Sequence, residues 1–272
     1  LHMKKIVFIF FDFYIKASIH VALSVVSLAL ISIKLSQNPI SIKMLIFIFN
    51  STLFAYNFVK YFPIIWKKKT HNFPYLIFYL SLFNLFFGIY FYYYLSLLAK
   101  IIALVGGVLV FLYALPLNHG MKNLRNAKGW KVYLVIITWI LLTVGIPFSS
   151  FLIFEIKLFI KLLLIQGIYV FVAILPFEIR DLNYDSKNLN TLPQQLGLAK
   201  VKFLGYYLLC INFIITVLGF GFLSPIALSS FLSFIILGFL LKRSYPKKSK
   251  YLSSFWVEAV PIFWAATFYL FS

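Results

Sequence analysis

A chain of 272 residues is long enough for one or two soluble domains, but 63% hydrophobic residues and a mean hydropathy of +0.98 exceed what a soluble core of that size can cover. Against 25 Lys and Arg stand only 6 Asp and Glu, a net charge of +19 that on one surface would be the footprint of a nucleic-acid partner. Here the charge falls in short segments between apolar runs, where membrane topology and anionic head groups account for it, so an integral membrane protein is expected and nucleic-acid binding is excluded.

In chain order, Leu1-His2 before Met3 is read as a cloning remnant, and residues 1–272 otherwise as a single transmembrane domain. Apolar runs follow at 13–33, 41–62, 73–97, 100–117, 130–149, 156–177, 200–222, 224–241 and 252–271. Each is close to the roughly 20 residues that cross a hydrocarbon core as a helix, and none alternates with the period of a barrel strand. The expected fold is an all-α, polytopic bundle of nine transmembrane helices. With the N-terminus on one side, that side receives Lys4, Lys5, Lys16, Lys60, Lys67 to Lys69, Lys122, Arg125, Lys128, Lys131, Arg180, Lys187, Lys200, Lys202, Lys242, Arg243, Lys247, Lys248 and Lys250. The other side keeps Lys34, Lys43, Lys100, Lys157 and Lys161, so the N-terminal side is expected to be cytoplasmic and the C-terminus outside.

Few sites of known chemistry are visible. The single Cys210 excludes an internal disulfide, the four histidines are scattered, and no glycine-rich phosphate loop or hydrolase triad appears. The exception is the segment after the sixth run. Glu178, Asp181 and Asp185, half of all the carboxylates, fall within eight residues. A helix continuing through them would set all three on one face, where like charges need a cation: either a divalent metal or the neighbouring Arg180 and Lys187. A solvated loop that ends the helix is the alternative.

The words around those acids narrow the choice. "EIRDLNYDSKNLNTLPQQLG", Glu178 to Gly197, resembles the second aspartate-rich motif of the UbiA superfamily of intramembrane prenyltransferases: an acid, then Arg-Asp, a second Asp four residues on, then Thr-Leu-Pro and Leu-Gly. "LYALPLNHGMKNLRNAKGWKVYLVIITW", Leu112 to Trp139, is similar to that family's fourth helix, basic loop and fifth helix. The resemblance implies a UbiA-like helical bundle that moves an isoprenoid group from a prenyl diphosphate to an acceptor, which could be aromatic, in a bacterial inner membrane. It implies Asp181 and Asp185 as catalytic, Mg²⁺ on Asp181, Asp185 and Glu178, and a diphosphate held by Asn57, Lys60, Lys122, Arg125, Arg180 and Lys187. Expected partners are membrane lipids and the prenyl diphosphate.

The first motif of that family departs. In "FAYNFVKYFPIIWKKK", Asn57 fits, but Phe58, Tyr61 and Ile65 stand where aspartates are expected, and Leu117 stands where a lysine often follows Tyr113. The chain is therefore similar to a divergent member with a degenerate first motif. Lys60 and Lys67 to Lys69 could replace one metal, with reduced Mg²⁺ dependence. Two alternatives to transfer stay open: a non-catalytic protein that binds a lipid diphosphate, and an intramembrane terpene cyclase.

Overall fold

The computed structural model describes residues 2–66, 72–115, 130–149, 155–186, 189–246 and 251–272, all helix, turn or short connection with no strand among them. Lys67 to Lys69, Lys122, Arg125 and Lys187 lie outside the described residues. The helices are α1 (His2–Lys16), α2 (Ile19–Leu35), α3 (Ile42–Trp66), α4 (Asn72–Tyr92), α5 (Leu97–Ala114) and α6 (Trp130–Ile140). A π-helical turn, Leu141–Gly145, joins α6 to α7 (Ile146–Phe148) in one rod. Then come α8 (Ile156–Asp181), α9 (Leu192–Leu196), α10 (Leu198–Phe220) and α11 (Pro225–Lys242), and a second π-helical segment, Leu252–Val257, leads into α12 (Glu258–Phe271).

Eight of these rods are long and apolar enough to cross a membrane, and α1 with α2, bent by 57°, makes a ninth if the pair counts as one span. A single straight first span at 13–33 is therefore corrected: the chain breaks at Ala17 and Ser18. Ser18 adopts a left-handed φ of 61°, which a non-glycine residue holds only when its surroundings over-determine it. α3 supplies them. The Asn57 side chain donates to the Ala17 carbonyl at 2.9 Å and accepts from the Ser18 hydroxyl at 2.7 Å, the Tyr61 hydroxyl donates to the Lys16 carbonyl at 2.9 Å, and Lys60 Nζ donates to Ser18 Oγ at 2.8 Å. In lipid a broken helix must have its freed carbonyls satisfied by protein, and one face of α3 does this.

The helices close on themselves as a ring. α2 packs on α3 and α12, α3 carries α4 outside and α5 beside it, and α5, α6, α8, α10, α11 and α12 follow as successive neighbours. Burial of apolar surface does not drive helices together in lipid as it does in water, so close approach and interhelical hydrogen bonds matter more. Small buried residues on α2 (Ala22, Ser24, Ala29, Ser32) allow the approach. Gln166 of α8 donates to the Leu28 carbonyl and Ser32 hydroxyl of α2, and Asn212 of α10 donates to the Ile165 carbonyl of α8, all at 2.9 to 3.0 Å. Pro63, Pro176 and Pro261 stand inside α3, α8 and α12. Each removes one backbone hydrogen bond. Pro63 and Pro261 face the large cavity described next, and Pro176 lies one half-turn before Glu178.

Candidate functional site

The ring encloses a cavity of about 620 Å³ between α3, α5, α6, α8 and α12, within the size range of small-molecule sites. Its chemistry is divided along its length. Val59, Val135, Trp139, Val170, Ala173 and Ile174 give an apolar wall. Lys60, Lys131, Arg180, Glu178, Asp181 and Glu258 give a charged end. That end is where α3 and α8 finish and the described parts of α6 and α12 begin, so four helices bring their charge to one side of the bundle.

The pairing of these charges is specific. Arg180 forms a two-point contact with Asp181, Nε to Oδ1 at 2.7 Å and Nη2 to Oδ2 at 3.1 Å, while Nη1 reaches Ser253 Oγ at 2.8 Å and ties α8 to the second π-helical segment. The guanidinium also lies 5.2 Å over the Phe177 ring. Lys131, the second residue of α6, sits 2.8 Å from Glu178 Oε1 and 3.3 Å from Asp185 Oδ2. Glu258 faces the same cavity, within electrostatic reach of Lys60 and Arg180. The Ser24 hydroxyl donates to the Glu258 backbone carbonyl, and His20 Nε2 lies 2.9 Å from that of Phe255, so α2 braces the π-helical segment that borders the cavity. Such segments leave backbone carbonyls without their usual helical partners.

Helix α8 ends at Asp181, and residues 182–184 turn. The three acids therefore do not share one helical face: Glu178 points into the protein at 1% exposure, Asp181 lies against Arg180, and Asp185 follows the turn, its amide bonded to the Asp181 carbonyl at 2.9 Å. The Thr-Leu-Pro and Leu-Gly words build α9. Thr191 stands at its N-cap with Gln194 Oε1 accepting from the Thr191 amide, Pro193 lies in the first turn, and Gly197 at φ 81° starts α10. Gln194 reaches back to the carbonyls of Asp185 and Ser186 at 3.3 and 3.2 Å and so fixes the acidic turn.

Among the sequence-derived site residues, Lys60, Glu178, Arg180 and Asp181 line the cavity together, and Asp185 joins them through Lys131. Asn57 is not among the described lining residues; it is buried, and its amide holds the break between α1 and α2. Phe58 stacks with Phe54 and Phe62 and meets Phe111 edge-on, so the position where an aspartate was expected is aromatic packing. Lys131, Tyr56 and Trp139 were not singled out by sequence. Trp139 Nε1 donates to the Tyr56 hydroxyl at 2.8 Å, and both residues line this cavity and an apolar one of about 120 Å³ beyond it.

Mg²⁺ is the ion that the motif implies, and the side chains as placed do not fit it. Both Asp181 oxygens are on Arg180, Glu178 and Asp185 converge on Lys131, and among the described residues no three His, Cys, Asp or Glu side chains are grouped to share a metal.

No protein-family model matches the chain, and no curated protein matches its sequence. In structure it is similar to a solved digeranylgeranylglyceryl phosphate synthase in membranes, at 17% identity and a TM-score of 0.54, with 94% of each chain covered. At that identity the likeness concerns the fold alone, an all-α, multi-pass membrane bundle like that of the synthase.

Proposed function

We propose that this chain is a UbiA-like intramembrane prenyltransferase that takes a prenyl diphosphate into the 620 Å³ cavity, with the head group at the charged end and the isoprenoid chain along the apolar wall. The observation that carries the reading is this division of one cavity: three cations from α3, α6 and α8 at one end, and aromatic and aliphatic side chains beyond. The sequence adds Lys67 to Lys69 directly after α3, and Lys122, Arg125 and Lys128 between α5 and α6. Among the described residues, the three cations of the charged end are balanced by Glu178, Asp181 and Glu258. The same basic segments support a cytoplasmic charged end.

In this reading the carbon–oxygen bond to the diphosphate breaks and its electron pair leaves with the head group. Lys60, Arg180 and Lys131 stabilise the developing negative charge. Asp181 orients Arg180, and Glu178 with Asp185 orients Lys131. The acceptor's electron pair forms the new bond to carbon, and the acceptor loses a proton. Ring faces at Tyr56, Tyr113, Trp139 and Phe177 line the route and can shield positive charge on the prenyl carbon.

A second reading, binding of a lipid diphosphate without turnover, is favoured by one observation: Asn57 and Tyr61, on the α3 face where the family's first motif is expected, are committed to the α1–α2 break. Incubation of the purified protein in lipid with isoprenoid diphosphates of several lengths and a panel of aromatic acceptors, with diphosphate release as the readout, separates the two. Release supports transfer, and tight binding without release supports the second reading.

A further inference from the structure

From the misfit between the acidic motif and a divalent ion, we infer that Lys131 is a built-in replacement for that ion: its ammonium fills the gap between Glu178 and Asp185, making head-group binding by this chain independent of Mg²⁺, and loss of its charge opens a divalent-cation site there. The inference concerns the same site as the proposed function but rests on the ion-pair geometry alone, and it stands whether or not a prenyl group is transferred.

Three observations support it. The ammonium bridges two carboxylates seven residues apart, one in the last turn of α8 and one beyond the turn that ends it, at 2.8 and 3.3 Å. Bridging carboxylates separated in sequence is what a hard divalent cation does at such a motif, with oxygen distances of about 2.0 to 2.1 Å for Mg²⁺. An ammonium does the same with one charge and longer contacts. Next, the Lys131 side chain is only 17% exposed, and a lone ammonium so far withdrawn from water is costly; the two carboxylates account for its place. Lastly, Glu178 is 1% exposed, and its Oε2 has no hydrogen-bond partner among the described residues. Among the described residues one singly charged lysine is paired with these two acids, and its removal leaves two negative charges for a doubly charged ion to match.

The test uses the full chain in lipid nanodiscs without substrate, titrated with Mn²⁺ followed by electron paramagnetic resonance. The wild type should hold no Mn²⁺ at submillimolar concentration, and Lys131→Ala should hold one ion. The double change Lys131→Ala with Glu178→Gln should lose it. Thermal stability gives a second readout: 5 mM Mg²⁺, on the order of ordinary assay concentrations, should raise the melting temperature of Lys131→Ala by several degrees and leave the wild type unmoved. If Lys131→Ala does not fold, Lys131→Ser and the wild-type titration carry the test. Binding of geranyl diphosphate should be equal in EDTA and Mg²⁺ for the wild type, and at least tenfold weaker in EDTA than in Mg²⁺ for the variant. One Mn²⁺ on the wild type that Glu178→Gln removes would overturn the inference, as would a folded lysine variant that binds no ion. Failure of prenyl transfer would touch neither outcome, because the ion is measured without substrate.

Discussion

Arg180 shows how a single side chain can serve both the site and its frame. Its two-point contact with Asp181 and its bond to Ser253 fix the guanidinium plane at the mouth of the cavity, and a planar guanidinium matches a phosphate oxygen pair in a way a lysine does not. Asp181→Asn should leave the fold intact and free Arg180 to rotate. Prenyl diphosphate affinity should then fall by roughly tenfold, the effect expected when a residue that orients a ligand-holding group is neutralised; equal affinity measured by calorimetry would mean that Arg180 is positioned without it. The acids of this site were legible in sequence because they are half of a scarce type in eight residues. Their partners were not. Lys131 looked like one more cytoplasmic charge in a chain of 25 basic residues, and only folding sets it between two carboxylates. Glu258 carried a signal, since a carboxylate in a membrane span is a candidate for function by default. Trp139 and Tyr56 carried none, because 21% aromatic residues make any one of them unremarkable until its neighbours are known.

The break between α1 and α2 shows what elements add. Hydropathy averages over a window, so it read one apolar run where the backbone turns by 57° at a left-handed serine. What holds that turn lies forty residues away on α3. Asn57→Leu keeps the volume roughly but removes the donor to the Ala17 carbonyl and the acceptor of the Ser18 hydroxyl proton in a buried site. It should destabilise the protein by about 1–3 kcal/mol, seen as a lower melting temperature in detergent. An unchanged melting temperature would mean that the break is held by packing alone. A different constraint acts where α10 passes α8 and α11. A Cβ on Gly205 would collide with Leu241 and press on Leu175, both fully buried. Gly205→Ala should therefore cost about 1–3 kcal/mol through forced repacking. The same change at Gly106, where a Cβ meets nothing within 4 Å, is the control and should cost less. The spans from α3 onward were legible because length and apolarity alone define them. The ends of α8 were less so: the helix was open to continuing past Asp185, and it stops at Asp181 because the following residues turn back to meet α9.

At the scale of the molecule, the ring of helices turns five separate segments into one cavity whose polar groups lie together at a single end. The uneven distribution of basic residues, twenty on one side against five on the other, predicts that this end is cytoplasmic. In a Cys210→Ser background, single cysteines placed at 67–69 or 247–250 should be labelled only from the cytoplasmic side, and labelling from outside would reverse the topology. The fold was legible from hydropathy and one motif, while the division of the cavity into a charged and an apolar end was not, because its walls come from residues more than two hundred positions apart. Transfer of a prenyl group within this divided cavity is the proposal that diphosphate release can decide. Purified protein in lipid, given prenyl diphosphates of graded length and aromatic acceptors, should release diphosphate from at least one of them, and Arg180→Leu should abolish that release. No release from any donor, alongside tight binding of one, would contradict prenyl transfer.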